Sequence, residues 1–102
     1  MLQFIVSVKD RAAEVFNRPF FVPHRNVAVR DFTDEINRAN ADNPLNKHPD
    51  DFDLYLLGQF DDSNGAFIRE GSPIVLVRGK DVVQKGSPTA FVRGKDVVQN
   101  SL

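Results

Sequence analysis

The chain has 102 residues, of which 41% are apolar, and it contains nine Phe and no Cys. These values are typical of one globular domain, and the lack of cysteine excludes a disulfide scaffold, a thiol nucleophile and a cysteine-based zinc site. The formal net charge is −1, yet residues 31–64 carry −7 and the flanking segments carry +3 each. A basic face formed by the two ends would suit a polyanion, although mixed surface charge is also what solubility alone requires.

The N-terminal sequence MLQFIVSVKD lacks the basic start of a signal peptide, and its apolar stretch is short. No other apolar run approaches the roughly 18 residues that a membrane helix needs. The sequence therefore predicts a soluble, intracellular protein that does not associate with a membrane.

Apolar and polar residues alternate over residues 2–9, which predicts a first strand with one face on the core. Asp10 can cap a short helical turn over residues 10–16, because its carboxylate can accept the free amide hydrogens of that turn. The prolines at either end of residues 19–23 favour extended backbone. In such a segment, Phe20 and Phe21 are expected to point to opposite sides.

Val29, Phe32 and Ile36 recur with helical spacing, and the residues between them are mostly charged. This pattern predicts the main amphipathic helix over about residues 26–39. Asn43 stands directly before a proline, an order typical of the cap and first position of a helical turn. A single turn of helix is expected there.

Residues 52–60 and 66–69 are apolar runs of strand length on either side of DDSNG. Asn64 and Gly65 can take the positive φ angles of a tight turn, so a β-hairpin is predicted. In the tail, IVLV and DVVQ flank Arg-Gly-Lys and indicate a continued strand or a second hairpin. The order of elements predicts an α+β fold, a small antiparallel sheet covered on one face by one main amphipathic helix.

A tandem duplication ends the chain. Residues 71–84, GSPIVLVRGKDVVQ, return as GSPTAFVRGKDVVQ at 86–99, with changes at three positions only. Two copies are too few for a solenoid, so one copy is expected to be redundant to the fold. We predict a single domain over residues 1–84, with 85–102 as an extra strand, a swapped edge or a loose tail.

Motifs for catalysis or cofactor binding are scarce. His24 and His48 lack metal-ligand spacing, and the aspartates around DDSNG lack the order of a calcium loop. No phosphate-binding glycine loop or serine elbow is present. The sequence predicts a protein that is not an enzyme and that holds no metal or cofactor.

Basic residues are interleaved with aromatic ones, a combination that single-strand binders use to neutralise phosphates and stack on bases. A Phe pair between prolines is also typical of a segment that is half core and half protein interface. The candidate DNA-binding residues are Arg11, Arg18, Phe21, Arg25, Arg30, Tyr55, Arg78 and Lys80.

Several stretches together resemble one family: FIVSVKD at 4–10, PFF at 19–21, HPDDF at 48–52 and LYLLGQFDD at 54–62. The chain resembles, over about residues 2–69, the small nonstructural protein of gokushovirus-type microviruses. The resemblance implies a non-enzymatic DNA-binding protein in the cytoplasm of an infected bacterium, tied to single-stranded genome synthesis or its hand-over to packaging. The resemblance does not specify which residues contact DNA.

Two hypotheses follow. In the first, a homodimer binds single-stranded DNA, and about four phosphate contacts give a log-log salt slope near −3. In the second, the protein is an adaptor that docks on the replication initiator or the capsid through an acidic helix face and exposed sheet edges. The sequence pI of about 6.1 favours the second hypothesis, and the family resemblance favours the first.

Overall fold

The computed structural model describes residues 1–69 and 71–84. The strands in these residues are β1 (Leu2–Asp10), β2 (Val15–Phe16), β3 (Phe20–Val22), β4 (Phe52–Asp61), β5 (Ala66–Ile68) and β6 (Ile74–Arg78). The helices are α1 (Arg25–Ile36), α2 (Pro44–Lys47) and α3 (Gly79–Val82), with a 3-10 turn at Pro49–Asp51. The predicted tail, residues 85–102, lies outside the described residues, and the domain boundary at residue 84 stays a prediction.

The strands form one antiparallel sheet built on a long central pair, β1 and β4. Strands β2 and β3 share the outer edge of β1, and β5 and β6 share the outer edge of β4. The predicted first strand, the extended segment at β3 and the hairpin between β4 and β5 are therefore confirmed. The turn takes its positive φ at Gly65 (78°), whereas Asn64 keeps a negative one.

A β-bulge interrupts the central pair. Ile5 of β1 lies opposite Gly58, but the next residue of β1 lies opposite Leu56, so Leu57 is the extra residue. A bulge reverses the alternation of side chains along the bulged strand. Odd-numbered residues of β4 before Leu57 therefore share a face with even-numbered residues after it.

One face of the sheet carries the hydrophobic core. The fully buried side chains from the sheet include Val6 and Leu54, and α1 contributes Ala28, Phe32 and Ile36. These positions follow most of the predicted apolar stripe, although Val29 is only half-buried. The predicted combination of helix with antiparallel sheet is confirmed as a mixed α/β fold. The two short helices and the 3-10 turn accompany α1, where the sequence predicted one main helix.

Asn43 explains where α1 ends and α2 begins. Its buried side chain donates from Nδ2 to the carbonyls of Glu35 (2.8 Å), in the last turn of α1, and Arg38 (2.9 Å), just after it. Its Oδ1 accepts the amide of Leu45 (3.2 Å) at the start of α2. Helix α1 thus stops three residues before the predicted end at 39, and the predicted helical turn after Asn43 is confirmed.

Replacing Asn43 by alanine is expected to destabilise the fold by about 2 kcal/mol, because it removes the cap of α2 and the bonds from a buried side-chain amide to two backbone carbonyls. The free energy of unfolding from urea titrations checks this value. Asn40→Ala is the matched control, since that side chain accepts only one exposed backbone bond, from Asp42. Equal stability of the two variants would contradict the bridging role of Asn43.

The predicted helical turn over residues 10–16 is wrong. The carboxylate of Asp10 does accept the amides of Ala12 (3.0 Å) and Ala13 (3.2 Å), but in a turn. The chain then reverses at Glu14, whose φ is 58°, and returns as β2 beside β1. Pairing along the strand edge satisfies backbone groups that a lone helical turn would leave exposed.

The predicted ending of the first repeat copy is also wrong, because DVVQ neither continues the strand nor forms a second hairpin. Strand β6 pairs with β4, and the chain then turns into α3 at Gly79. Asn37 holds this end in place, donating to the carbonyl of Val82 (3.0 Å) and accepting the amide of Gln84 (2.8 Å). Tertiary contacts, rather than local pattern, decide the structure here.

Candidate nucleic-acid interface

The sheet face opposite the core, here called the open face, carries a set of aromatic side chains. Cross-strand pairs assign them to one side: Phe16 lies opposite Lys9, Phe21 opposite Ile5, and Phe67 opposite Phe60. The bulge brings Tyr55 and Phe60 to this same face. The exposed fraction is 41% for Phe16, 45% for Phe21 and 68% for Phe67, far more than for side chains in the core.

The rings form two groups. At one end of the face, Phe60 contacts Phe21 with ring centroids 5.5 Å apart and Phe67 with centroids 5.0 Å apart. At the other end, the rings of Phe16 and Tyr55 meet edge to face at 5.3 Å. The strand partners of Phe60 and Tyr55 are four residues apart on β1, which separates the groups by about 13 Å.

Cationic groups border both aromatic groups. The ammonium of Lys9 lies 5.5 Å from the Phe16 ring centroid and 5.9 Å from that of Tyr55. Arg69 lines a cleft of about 360 Å³ beside Phe67. Other side chains lining this cleft are Ile5, Leu57, Ile68 and Pro73. An apolar cleft with an arginine at its border has the chemistry to hold a flat, polar-edged ring.

Gly58 forms part of this cleft, and the cleft depends on it. A Cβ atom at Gly58 would lie 2.5 Å from the carbonyl oxygen of Ile68, closer than real Cβ contacts allow. The backbone of β5 can therefore approach the face at this point only because residue 58 has no side chain.

A buried carboxylate organises the basic end of the open face. Asp53 is fully buried, and its Oδ2 accepts a hydrogen bond from Arg78 Nη1 (2.8 Å) and forms an ion pair with Arg11 Nε (3.1 Å). Arg11 also donates to the carbonyl of Asp50. The two guanidinium groups keep part of their surface in solvent, with side chains 45% and 41% exposed. This cluster therefore carries a net positive charge beside Tyr55.

The hairpin end of the sheet is acidic instead. The amino group of Met1 donates to Asp62 Oδ1 (2.8 Å), and this bond lowers the pKa of the Asp62 carboxyl and raises that of the amino group. Hydrogen bonds from Ser63 lower the pKa of Asp61. Both carboxylates are thus ionised at neutral pH.

The Met1–Asp62 pair is expected to make stability depend on pH at both extremes. Because the pKa of Asp62 is lowered in the folded state, its contribution is lost as the pH falls through that lowered value. The raised pKa of the amino group means that its contribution is lost as the pH rises through a value above 8.0. We expect the Tm of the Asp62→Asn variant to decline less than that of the wild type at both pH extremes. If Tm falls equally with pH in variant and wild type, the Met1–Asp62 pair does not contribute to stability.

No group of three or more His, Asp or Glu side chains that could hold a metal ion occurs in residues 1–69 and 71–84. In the same residues, no helix has the length and apolar content needed to cross a membrane.

The sequence pattern of the family described as "Phage ORF5 protein" matches residues 3–82. The chain belongs to this family. It is similar to Protein ORF5 of Chlamydia phage 1, with 30% identity over 79 residues that cover 76% of this chain and 82% of that protein. No solved structure matches the chain. The expectation of a small phage protein is therefore confirmed, and the match to the Phage ORF5 family includes all of the described sheet except Leu2 of β1.

In this Phage ORF5 family member, the predicted site residues divide between two surfaces. Phe21 and Tyr55 lie on the open face, and Arg11 and Arg78 lie at its basic end. The others lie elsewhere: Arg25 over the Phe4 ring at 5.2 Å, Arg30 beside Asp31 on α1, Lys80 exposed on α3, and Arg18 exposed between β2 and β3. Phe4 contacts the core, so Arg25 belongs to the opposite side of the sheet.

Sequence reasoning missed several residues of the open face of this family member: Lys9, Phe16, Phe60, Phe67 and Arg69. Alternation in β1 already assigned Lys9 to the side away from the core, and the hairpin could have paired Phe60 with Phe67. A strict period of two assigns Tyr55 and Phe60 to opposite faces, and Gly58, a glycine within a strand beside the bulge at Leu57, is the sequence signal that could have corrected this.

Proposed function

We propose that this phage protein binds single-stranded DNA through the open face and serves genome synthesis or the hand-over of the genome to packaging, without enzymatic activity. The observation that carries the proposal is the row of exposed aromatic rings on a sheet face away from the core. Successive bases stack on such rings with little regard to sequence.

The charges around the rings support a polyanionic ligand. Among the described residues, Lys9, Arg11, Arg69 and Arg78 lie at or beside the open face, against one buried carboxylate, Asp53. Guanidinium groups can contact phosphates while the neighbouring rings take the bases.

The proposal is tested by fluorescence anisotropy of a labelled single-stranded oligonucleotide at several salt concentrations, with a duplex control. We expect binding that prefers the single strand, with a log-log salt slope near −3 for about four phosphate contacts. Absence of binding at low salt, from protein shown to be folded by circular dichroism, would refute the proposal for this chain.

A matched pair of charge variants tests the surface. Lys9→Gln is expected to reduce the salt slope by about 0.7, the value for one phosphate contact on a single strand. Arg30→Gln, on the helix side of the sheet, removes the same charge and should leave the slope unchanged. Equal changes for the two variants would indicate a general charge effect and argue against the open face.

A second candidate function is a protein-interaction adaptor that docks on the phage replication initiator or capsid without contacting DNA. Exposed acidic side chains on α1, Asp31 and Asp34, favour it, since they offer a basic partner a complementary surface. The adaptor would leave DNA affinity negligible. A homodimer in the host cytoplasm remains part of our proposal, and sedimentation of the purified protein would measure its oligomeric state.

A further inference from the structure

The first repeat copy occupies a defined groove, here called the repeat groove, formed by the outer edge of β4 together with Asn37, Pro49 and Asp53. Within the groove, β6 pairs with β4, Arg78 bonds to Asp53 (2.8 Å), and Asn37 bonds to the backbone at both Val82 and Gln84. The strand pairing and the Asn37 bonds involve the backbone of the first copy, whereas the Arg78–Asp53 bond depends on its sequence.

Gly79 is the position in the repeat groove where the choice of residue is most restricted. A Cβ atom there would lie 2.6 Å from the carbonyl oxygen of Phe52 and in contact with that of Pro49. Both obstacles are backbone atoms, which cannot rotate away. Only glycine fits the groove at this position.

The second copy repeats every one of these features. Residues 92–99 are identical to 77–84, so Arg93, Gly94, Val97 and Gln99 correspond to the residues that contact the groove. The three differences, Thr89, Ala90 and Phe91, fall within the segment equivalent to β6. Backbone pairing with β4 does not depend on side-chain identity, so these changes preserve the strand ladder.

We propose that residues 86–99 are an alternative occupant of the repeat groove, exchanging with the first copy of the same chain. Five residues, 69–73, connect β5 to β6 in the observed arrangement, and twenty, 69–88, would connect β5 to the second copy. The longer connection disfavours the second copy by about eightfold, because loop-closure entropy grows with the 3/2 power of length. The first copy is therefore the main occupant, and the second replaces it when it is displaced. This inference is independent of the proposed DNA binding.

Three variants of the full chain test the exchange: Gly79→Val, Gly94→Val and the double variant. Each valine excludes its own copy from the groove. We expect Gly94→Val to be as stable as the wild type. Gly79→Val should lower the equilibrium constant for folding by about tenfold, because the second copy closes a longer connection. The double variant should lose far more stability, since neither copy then fits the groove. Urea unfolding followed by circular dichroism measures all three. Equal stability of Gly79→Val and the double variant, whether high or low, would overturn the proposal.

Disulfide trapping gives a direct readout, since the natural chain has no cysteine. Tyr55 pairs with Val75, whose counterpart in the second copy is Ala90. In the Gly79→Val background, Tyr55→Cys combined with Ala90→Cys should form an intrachain disulfide on oxidation, whereas Tyr55→Cys combined with Ser101→Cys should not. A link that forms only between two chains, or equally at 101, would overturn exchange within one chain.

Discussion

Replacing Phe21 and Phe60 together by alanine is expected to lower the affinity for single-stranded DNA by about 100-fold, because base stacking on an aromatic ring contributes about 1–3 kcal/mol. The two rings lie 5.5 Å apart on the open face, and Phe60 also contacts Phe67. They form one platform, so the loss of both removes a complete stacking site.

The affinity losses of the two single variants should not sum to the loss of the double variant. Since the Phe21 ring contacts Phe60 edge to face, removing either ring also frees the other to move. Coupling of this kind is typical of residues in contact. We expect each single variant to lose nearly as much affinity as the double, and a double-mutant cycle from anisotropy titrations measures the difference.

Phe20→Ala is the matched control for this prediction. Phe20 is adjacent in sequence and similarly exposed, at 37% against 45% for Phe21, but it lies opposite Val6, which belongs to the core side. Its replacement should leave DNA affinity within a few fold of wild type. A loss as large as that of Phe21→Ala would show that the binding surface is not restricted to the open face.

The parts of this structure that the sequence predicted are those with short-range patterns. Alternation marked β1, the turn at Gly65 marked the hairpin, and Asn43 before a proline marked α2. In each case the local pattern and the tertiary contacts favour the same conformation.

Backbone pairing and tertiary contacts explain the two predictions that were wrong. The segment after Asp10 had the composition of a helical turn, but pairing with the edge of β1 made it a strand. The segment after Gly79 looked extended, but it forms α3, and the side chain of Asn37 bonds to its backbone at Val82 and Gln84. The partners of β2, Asp10 and Lys9, lie only five and seven residues away in sequence, whereas Asn37 lies 45 residues from Val82.

Identifying the candidate site required both the amino-acid composition and the three-dimensional structure. Composition suggested aromatic and basic residues, and four of those named, Phe21, Tyr55, Arg11 and Arg78, lie on or beside one face of the sheet. Charge alone also selected Arg25, which lies on the other side of the sheet. Separating the two sides required the strand register, above all the bulge at Leu57.

The division between faces has its largest consequence at two adjacent residues, Leu54 and Tyr55. Leu54 is fully buried on the core side of β4, between Val8 and Val77 on the neighbouring strands. Leu54→Ala is expected to destabilise the fold by about 3 kcal/mol through lost burial and the cavity left behind. Since a small domain has about 5–15 kcal/mol in total, this is a large part of its stability, and the Tm should fall by about 12–24 °C.

Tyr55→Ala should affect DNA affinity more than stability, the reverse of Leu54→Ala. Its half-buried ring contacts Phe16 on the open face, so its loss should cost only about 1 kcal/mol of stability while lowering DNA affinity about tenfold or more. Thermal unfolding and anisotropy on the same two variants measure both quantities. Because side chains one residue apart on a strand point to opposite faces, a tolerated Leu54→Ala together with an unfolded Tyr55→Ala would reverse the assignment of core and open face and remove the basis for the proposed binding surface.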